Sequence, residues 1–219
     1  MSIAPPAPDT RTTAEDPADV AALVRAATAE DHRNAETRGF ITALMGGELS
    51  LADYTRYLAQ FAWVYEALES RGHRVGDPEI FDPKLDRLAA IEADLAALGA
   101  ADWRETHPPL AATTAYTTHL HDLLDNDVRY LAHHYTRYLG DLSGGQAIAA
   151  LVARHYGATP EQLRFYDFGL GDEGPVRYKR RYREAMNALA LEPEQIDALV
   201  GEARASFRLN GAIFEALGA

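Results

Sequence analysis

Three of the six residues in Gly140-Asp141-Leu142-Ser143-Gly144-Gly145 are glycine, inside a run from Tyr130 to Tyr156 that is otherwise helical in character. An interior glycine costs a helix about 1 kcal/mol against alanine, so the segment forgoes roughly 3 kcal/mol that something must offset. Close helix–helix packing through Gly140 and Gly144 would account for this, and so would a loop between two helices. A third reading is a kinked helix whose bare backbone lies against a flat ligand, with Asp141 standing where a core would place an apolar residue. Nearer the N-terminus, Arg25 and His32 are seven residues apart. On a helix they point within about 20° of each other and stand about 10 Å apart along the axis. Ala21, Thr28 and Ala29 keep that face shallow. Glu36, one turn beyond His32, can reach the other imidazole nitrogen and fix its tautomer, as the outer partners of metal-bound histidines do. A lone histidine on a helix is more often a core or surface residue. With a cation two turns away, however, it suits a metallated plate bearing anionic groups, which describes haem and its propionates.

Other metal chemistry has less support. The chain has no cysteine, which removes disulfides, thiolate nucleophiles, cysteine-ligated zinc and iron–sulfur clusters. Neither Glu-x-x-His nor His-Glu-x-x-His occurs in it. His119 and His121, like His133 and His134, are near neighbours in sequence and do not face one way on a helix. Together with His73, His107 and His155 they read as structural or solvent-facing. The run Arg177, Lys179, Arg180, Arg181 and Arg183 would ordinarily be a solvated face. In an acidic chain it can also hold propionates or dock an acidic partner.

The elements that must position these residues are helices. The 219 residues, 47% hydrophobic and 25% charged, suit one large domain with a substantial core. A net charge of −12 repels phosphates, so no nucleic-acid partner is expected. No apolar run reaches membrane-spanning length, and residues 1–15 carry acids rather than an apolar leader, so the reading is a cytoplasmic protein with a disordered arm over 1–15 and one domain over 16–219. Asp16-Pro17 predicts a helix over 17–38, closed by Gly39. Ser50 and Asp53 open a helix, with Leu51, Tyr54, Leu58, Phe61, Tyr65 and Leu68 on its buried face, ending near Gly72. Asp82-Pro83 opens another that ends at Gly99, and Trp103 to Pro109 reads as a connection. Helices follow over 110–126 and 128–156, the latter interrupted by the glycines, then over 175–190 and 193–217. The last is lined by Ile196, Leu199, Val200, Phe207 and Phe214. No strand and no repeat is evident, so the class is all-α.

Against that background the segment YTRYLGDLSGGQ, Tyr135 to Gln146, resembles the distal-helix signature of haem oxygenases. The likeness takes in AEDHRNAE around His32, YEALE at Tyr65 to Glu69, KRRYREAMNAL from Lys179 and FRLNGAIF from Phe207 to Phe214, covering nearly all of the chain after the arm. It implies a single all-α domain that holds haem b between a proximal helix and a kinked distal helix. It also implies an enzyme that opens haem to biliverdin, carbon monoxide and ferrous iron with dioxygen. By position His32 matches the axial ligand and Glu36 its hydrogen-bond partner. Gly140 and Gly144 match the distal backbone over the ring, and Asp141 the distal carboxylate. Arg25, Tyr135, Lys179 and Arg183 match propionate contacts, and Tyr65, Tyr116, Arg137 and Asn210 match the groups around a distal water network. Phe207 and Phe214 are expected beside the haem. Arg25 stands where many members have lysine, which keeps the charge but changes the hydrogen-bond geometry. Membrane-anchored members carry a C-terminal apolar tail, whereas this chain ends FEALGA and so is similar to the microbial-type enzymes without an anchor.

The resemblance implies that bare glycine backbone crowds the reactive oxygen toward the ring edge and that Asp141 orders a proton relay, while the cationic run Arg177 to Arg183 suits docking of an acidic electron donor such as ferredoxin with its NADPH-dependent reductase. A haem carrier on the same fold would keep His32 and the cations but has no evident need for Asp141 and its polar neighbours. A thiamin-pathway hydrolase of similar architecture would need a nucleophile, commonly cysteine.

Overall fold

The computed structural model describes residues 19–36 and 39–219, with Glu36 as backbone alone. The expected arm over 1–15 and the Asp16-Pro17 cap lie outside the described residues. Ten α-helices are present among those described: α1 Val20–Ala27, α2 Ala29–Glu36, α3 Gly39–Gly46, α4 Leu51–Glu69, α5 Leu88–Ala97, α6 Trp103–Thr106, α7 Ala111–His121, α8 Asp127–Tyr156, α9 Gly174–Asn187 and α10 Pro193–Leu217. No strand occurs among the described residues. None of these helices is long and apolar enough to cross a membrane.

The expected helix over 17–38 is two helices. Asp19 caps α1 by accepting from the Ala22 N–H at 2.9 Å. The break falls at Thr28, whose hydroxyl donates to the Val24 carbonyl at 2.8 Å, a back-bond that bends helices. Arg204 of α10 donates to the Ala27 carbonyl at 3.1 Å, taking an acceptor that a continuous helix would use. Gly39 begins α3 rather than ending a helix.

Ser50 and Asp53 form the expected capping box, and α4 is buried on nearly every side from Tyr54 to Leu68. The helix expected from Asp82-Pro83 to Gly99 is also divided. Pro83–Leu85 is a single 3-10 turn, and Arg87 then turns its guanidinium onto the carbonyls of Lys84, Leu85 and Asp86. Glu69 of α4 accepts the N–H groups of Arg87, at 2.6 Å, and Leu88, at 3.2 Å, so a side chain from another helix caps α5. Burial pushes the Glu69 carboxyl up to about 7 even so. Trp103–Thr106, read as part of a connection, is a short helix, and the helix expected over 110–126 stops at His121.

α8 is continuous from Asp127 to Tyr156, so the glycines do not interrupt it. It ends where Gly157 adopts φ 68°, a left-handed cap that glycine enters without strain. α9 buries Tyr178, Tyr182 and Met186 at fourfold spacing and leaves Arg177 and Arg180 exposed. The Tyr182 hydroxyl lies 2.7 Å from Nδ1 of the buried His134, whose pKa burial holds down at about 3, so this imidazole is neutral. The structure bears out the bounds 193–217, with Pro193 in the first turn of α10. α10, the last helix, packs against α1, α2, α3, α7 and α8.

Candidate functional site

α1 and α2 on one side and α8 on another enclose a cavity of about 820 Å³, with α9 along the rim and Phe207 of α10 contributing to the lining. That volume lies within the range of about 300–1,000 Å³ common for small-molecule sites. Ala21, Arg25, Thr28, Ala29 and His32 form the first wall. Despite the break at Thr28, Arg25 and His32 face the same space. The His32 ring meets Phe207 edge-on with centroids 5.6 Å apart. Glu36 closes α2, and its side chain lies outside the described residues.

The second wall is Tyr135, Thr136, Leu139, Gly140 and Ser143. From Thr136 onward these fall at steps of three and four along α8, so one helical face is presented to the cavity. The glycines of this helix divide by role. A Cβ built on Gly140 or Gly144 meets nothing within 4 Å, whereas one on Gly145 would stand 2.8 Å from the Tyr166 ring. Gly145 is therefore a packing residue. Gly140 is bare backbone on a cavity wall, and Gly144 is bare backbone at the surface outside that wall.

Behind Gly140 lies a buried polar cluster. Tyr65 donates to Asp141, and Arg137 donates to the same carboxylate at 3.3 Å, to the Tyr65 oxygen at 3.2 Å and to the Asn210 carbonyl at 2.7 Å. The Arg137 guanidinium also sits over the Phe61 ring at 4.6 Å. Burial pushes the Asp141 carboxyl above the usual aspartate range, although Arg137 and Tyr65 both favour its ionised form. Burial likewise drives the Tyr65 phenol well upward, so it remains a donor. Tyr116 does not bond to this cluster. Its hydroxyl meets His133 at 3.2 Å and Ser206 at 2.9 Å, and Ser206 in turn meets Thr136 of the cavity wall at 2.6 Å.

Along the rim, Arg180, Arg183, Glu184 and Asn187 face the cavity. Asn187 accepts from Ala21 N–H and donates to Asp19, both at 3.0 Å, which ties α9 to the start of α1. Lys179 is not in the lining. It donates to the lining residue Ser143 at 3.0 Å, and burial together with the Arg183 charge lowers its pKa. Tyr135 lines the wall with its phenol pKa raised by burial. Phe214 lies apart from the cavity, stacked on Tyr57 at 6.2 Å and near Phe61 at 5.9 Å.

Of the expected site residues, Arg25, His32, Tyr135, Gly140, Arg183 and Phe207 line the cavity; Tyr65, Arg137, Asp141 and Asn210 form the polar cluster outside the lining, and Gly144, Tyr116, Lys179 and Phe214 also lie outside the cavity wall. Thr136, Leu139, Ser143 and Asn187 line it without having been singled out, and the helical spacing of the first three after Gly140 was fixed as site was the signal available for them. A flat ligand with anionic edges fits what is present: an imidazole on one wall, side-chain-free backbone on another and arginines at the opening.

The heme oxygenase family model matches residues 18–216. Heme oxygenase 1 of Gallus gallus is 35% identical over 207 residues, covering 91% of this chain and 70% of that protein. Heme oxygenase of Porphyra purpurea is 32% identical, covering 89% of this chain and 84% of that protein. Among solved structures, heme oxygenase-1 of Synechocystis, determined in complex with heme, superposes with a TM-score of 0.85 at 29% identity, covering 91% of this chain and 92% of that one. Heme oxygenase of Leptospira interrogans gives 0.84 at 30% identity, covering 90% and 99%.

Proposed function

This chain belongs to the haem oxygenase family, and from that premise we propose that its cavity receives haem b and that the protein opens the ring to biliverdin, carbon monoxide and ferrous iron, using dioxygen and external electrons. One observation carries the reading: His32 and the bare backbone of Gly140 line one cavity, and the residue after that glycine is a carboxylate held by Arg137 and Tyr65. Held there, haem is both cofactor and substrate, supplying redox-active iron and the ring to be cut.

His32 would hold the haem through its imidazole. Arg25, Arg180 and Arg183 would meet the propionates, with Tyr135 beside them and Lys179 held near by Ser143. Gly140 would leave the haem facing bare backbone, with room for a small molecule and no bulky acid to compete with it. Asp141 would hold and pass the proton. Its raised pKa suits that task, Tyr65 and Arg137 fix its orientation, and Asn210 fixes Arg137.

Gly140→Leu should fold as well as the natural chain or better, because leucine is worth up to about 1 kcal/mol over glycine in a helix and nothing stands within 4 Å of the new Cβ. Haem affinity should nevertheless fall, since the side chain fills the cavity. A thermal melt and an absorbance titration with haem read the two effects separately, and normal affinity would remove Gly140 from the site.

The activity itself is tested by adding haem, oxygen, NADPH, a ferredoxin and its reductase, and following the biliverdin spectrum. Haem bound without biliverdin would favour a carrier. We place the reaction in the cytoplasm, where such a donor system is at hand. Arg177 and Arg180 are exposed beside the rim of a chain with net charge −12, so an acidic donor should be steered there. Reduction by ferredoxin should slow as salt rises while reduction by a small neutral reductant does not. Equal salt dependence would confine these arginines to other roles.

A further inference from the structure

Away from the cavity, side chains from three helices converge. His119 of α7, His133 of α8 and Glu202 of α10 form a group of potential metal ligands, with one ligand atom from each lying within 4.8 Å of the others. Both histidines turn Nε2 toward the same oxygen, Oε1 of Glu202, His133 at 3.1 Å and His119 in a closer contact. The His133 side chain is fully buried and Glu202 is 9% exposed, while His119 at 35% leaves a way in from solvent. The far side of His133 is held too, since Nδ1 faces the Tyr116 hydroxyl at 3.2 Å. Arg129 Nε stands 3.9 Å from the second Glu202 oxygen.

We propose that His119, His133 and Glu202 form a binding site for a divalent first-row transition cation such as Zn²⁺, with solvent completing its coordination. Two imidazole nitrogens and one carboxylate oxygen are the donor set that borderline cations of this class prefer, and three protein ligands with an open position is an established zinc arrangement. Because the donors come from separate packed helices, they are placed by the fold and need no loop closure. The cation would stand between the two Nε2 atoms and Oε1. Tyr116 supplies the outer partner that orients a ligating imidazole, and Arg129 occupies the carboxylate oxygen left over, which favours single-oxygen ligation by Glu202. This site is separate from His32 and does not depend on the haem reading.

The test uses the untagged full chain, free of haem and treated with chelator. Calorimetric titration with Zn²⁺ should show one saturable site, and Co²⁺ in its place should develop visible bands characteristic of low-coordinate nitrogen and oxygen ligation. His119→Gln, at a position exposed enough to leave the fold intact, should weaken binding by about tenfold or more and remove the rise in Tm that Zn²⁺ gives the natural chain. His121→Ala, at an exposed position on the same helix, and His32→Ala should keep the binding. Absence of saturable binding in the natural chain, unchanged affinity in His119→Gln, or loss of the site in His32→Ala would each overturn the proposal.

Discussion

Asp141→Asn should lower biliverdin formation by about a hundredfold or more while leaving haem bound, which is the size of effect expected when a positioned proton-transfer group is removed. The substitution keeps shape and most hydrogen-bonding capacity. Arg137 loses its counter-charge but retains its bonds to Asn210 and Tyr65, so its donors stay satisfied, and a thermal melt should show a loss of stability without loss of the fold. What disappears is a carboxyl whose pKa burial has raised and which can therefore carry a proton at Oδ1 or Oδ2. Single-turnover oxidation with reductant and oxygen, read by biliverdin yield beside a haem titration, separates the two outcomes. Natural yield from the asparagine variant would remove Asp141 from the mechanism.

His32→Ala should eliminate imidazole ligation of added haem and reduce turnover to near background. His32 lies midway along α2, on the cavity wall and against Phe207, so its replacement opens space rather than straining the core. Added imidazole should diffuse into that space and restore the natural absorption spectrum in proportion to its concentration. An unchanged spectrum in the variant without imidazole would give the axial role to another residue.

Several elements were readable from local residues alone. Ser50 with Asp53 marks the start of α4, Gly157 marks the end of α8 and Pro193 the start of α10, because caps act through neighbours in sequence. Arg25 and His32, seven residues apart, both line the cavity although they belong to two helices and not to the single one their spacing assumed. What sequence concealed was decided between helices. Thr28 is no breaker by type, and the Ala27 carbonyl beside it is taken by Arg204, which is remote in the chain. The turn after Pro83 yields to Arg87 and to a carboxylate from α4. The division of the glycines could not be seen either, since only the arrival of Tyr166 distinguishes Gly145 from Gly140. His119, His133 and Glu202 share no helix, so no spacing announced that they meet.

The position of α10 in chain order has a consequence for biosynthesis. Both cavity walls dock on this helix, which also contributes Phe207 to the lining and Asn210 to the Asp141 cluster. During translation the histidine helix and the glycine helix leave the ribosome well before the surface that holds them together. Packing across such separations closes large loops, which makes assembly a late step. A stalled ribosome bearing a chain that ends before Pro193 should therefore capture no haem, whereas a chain extended by a linker that frees Leu217 should bind it.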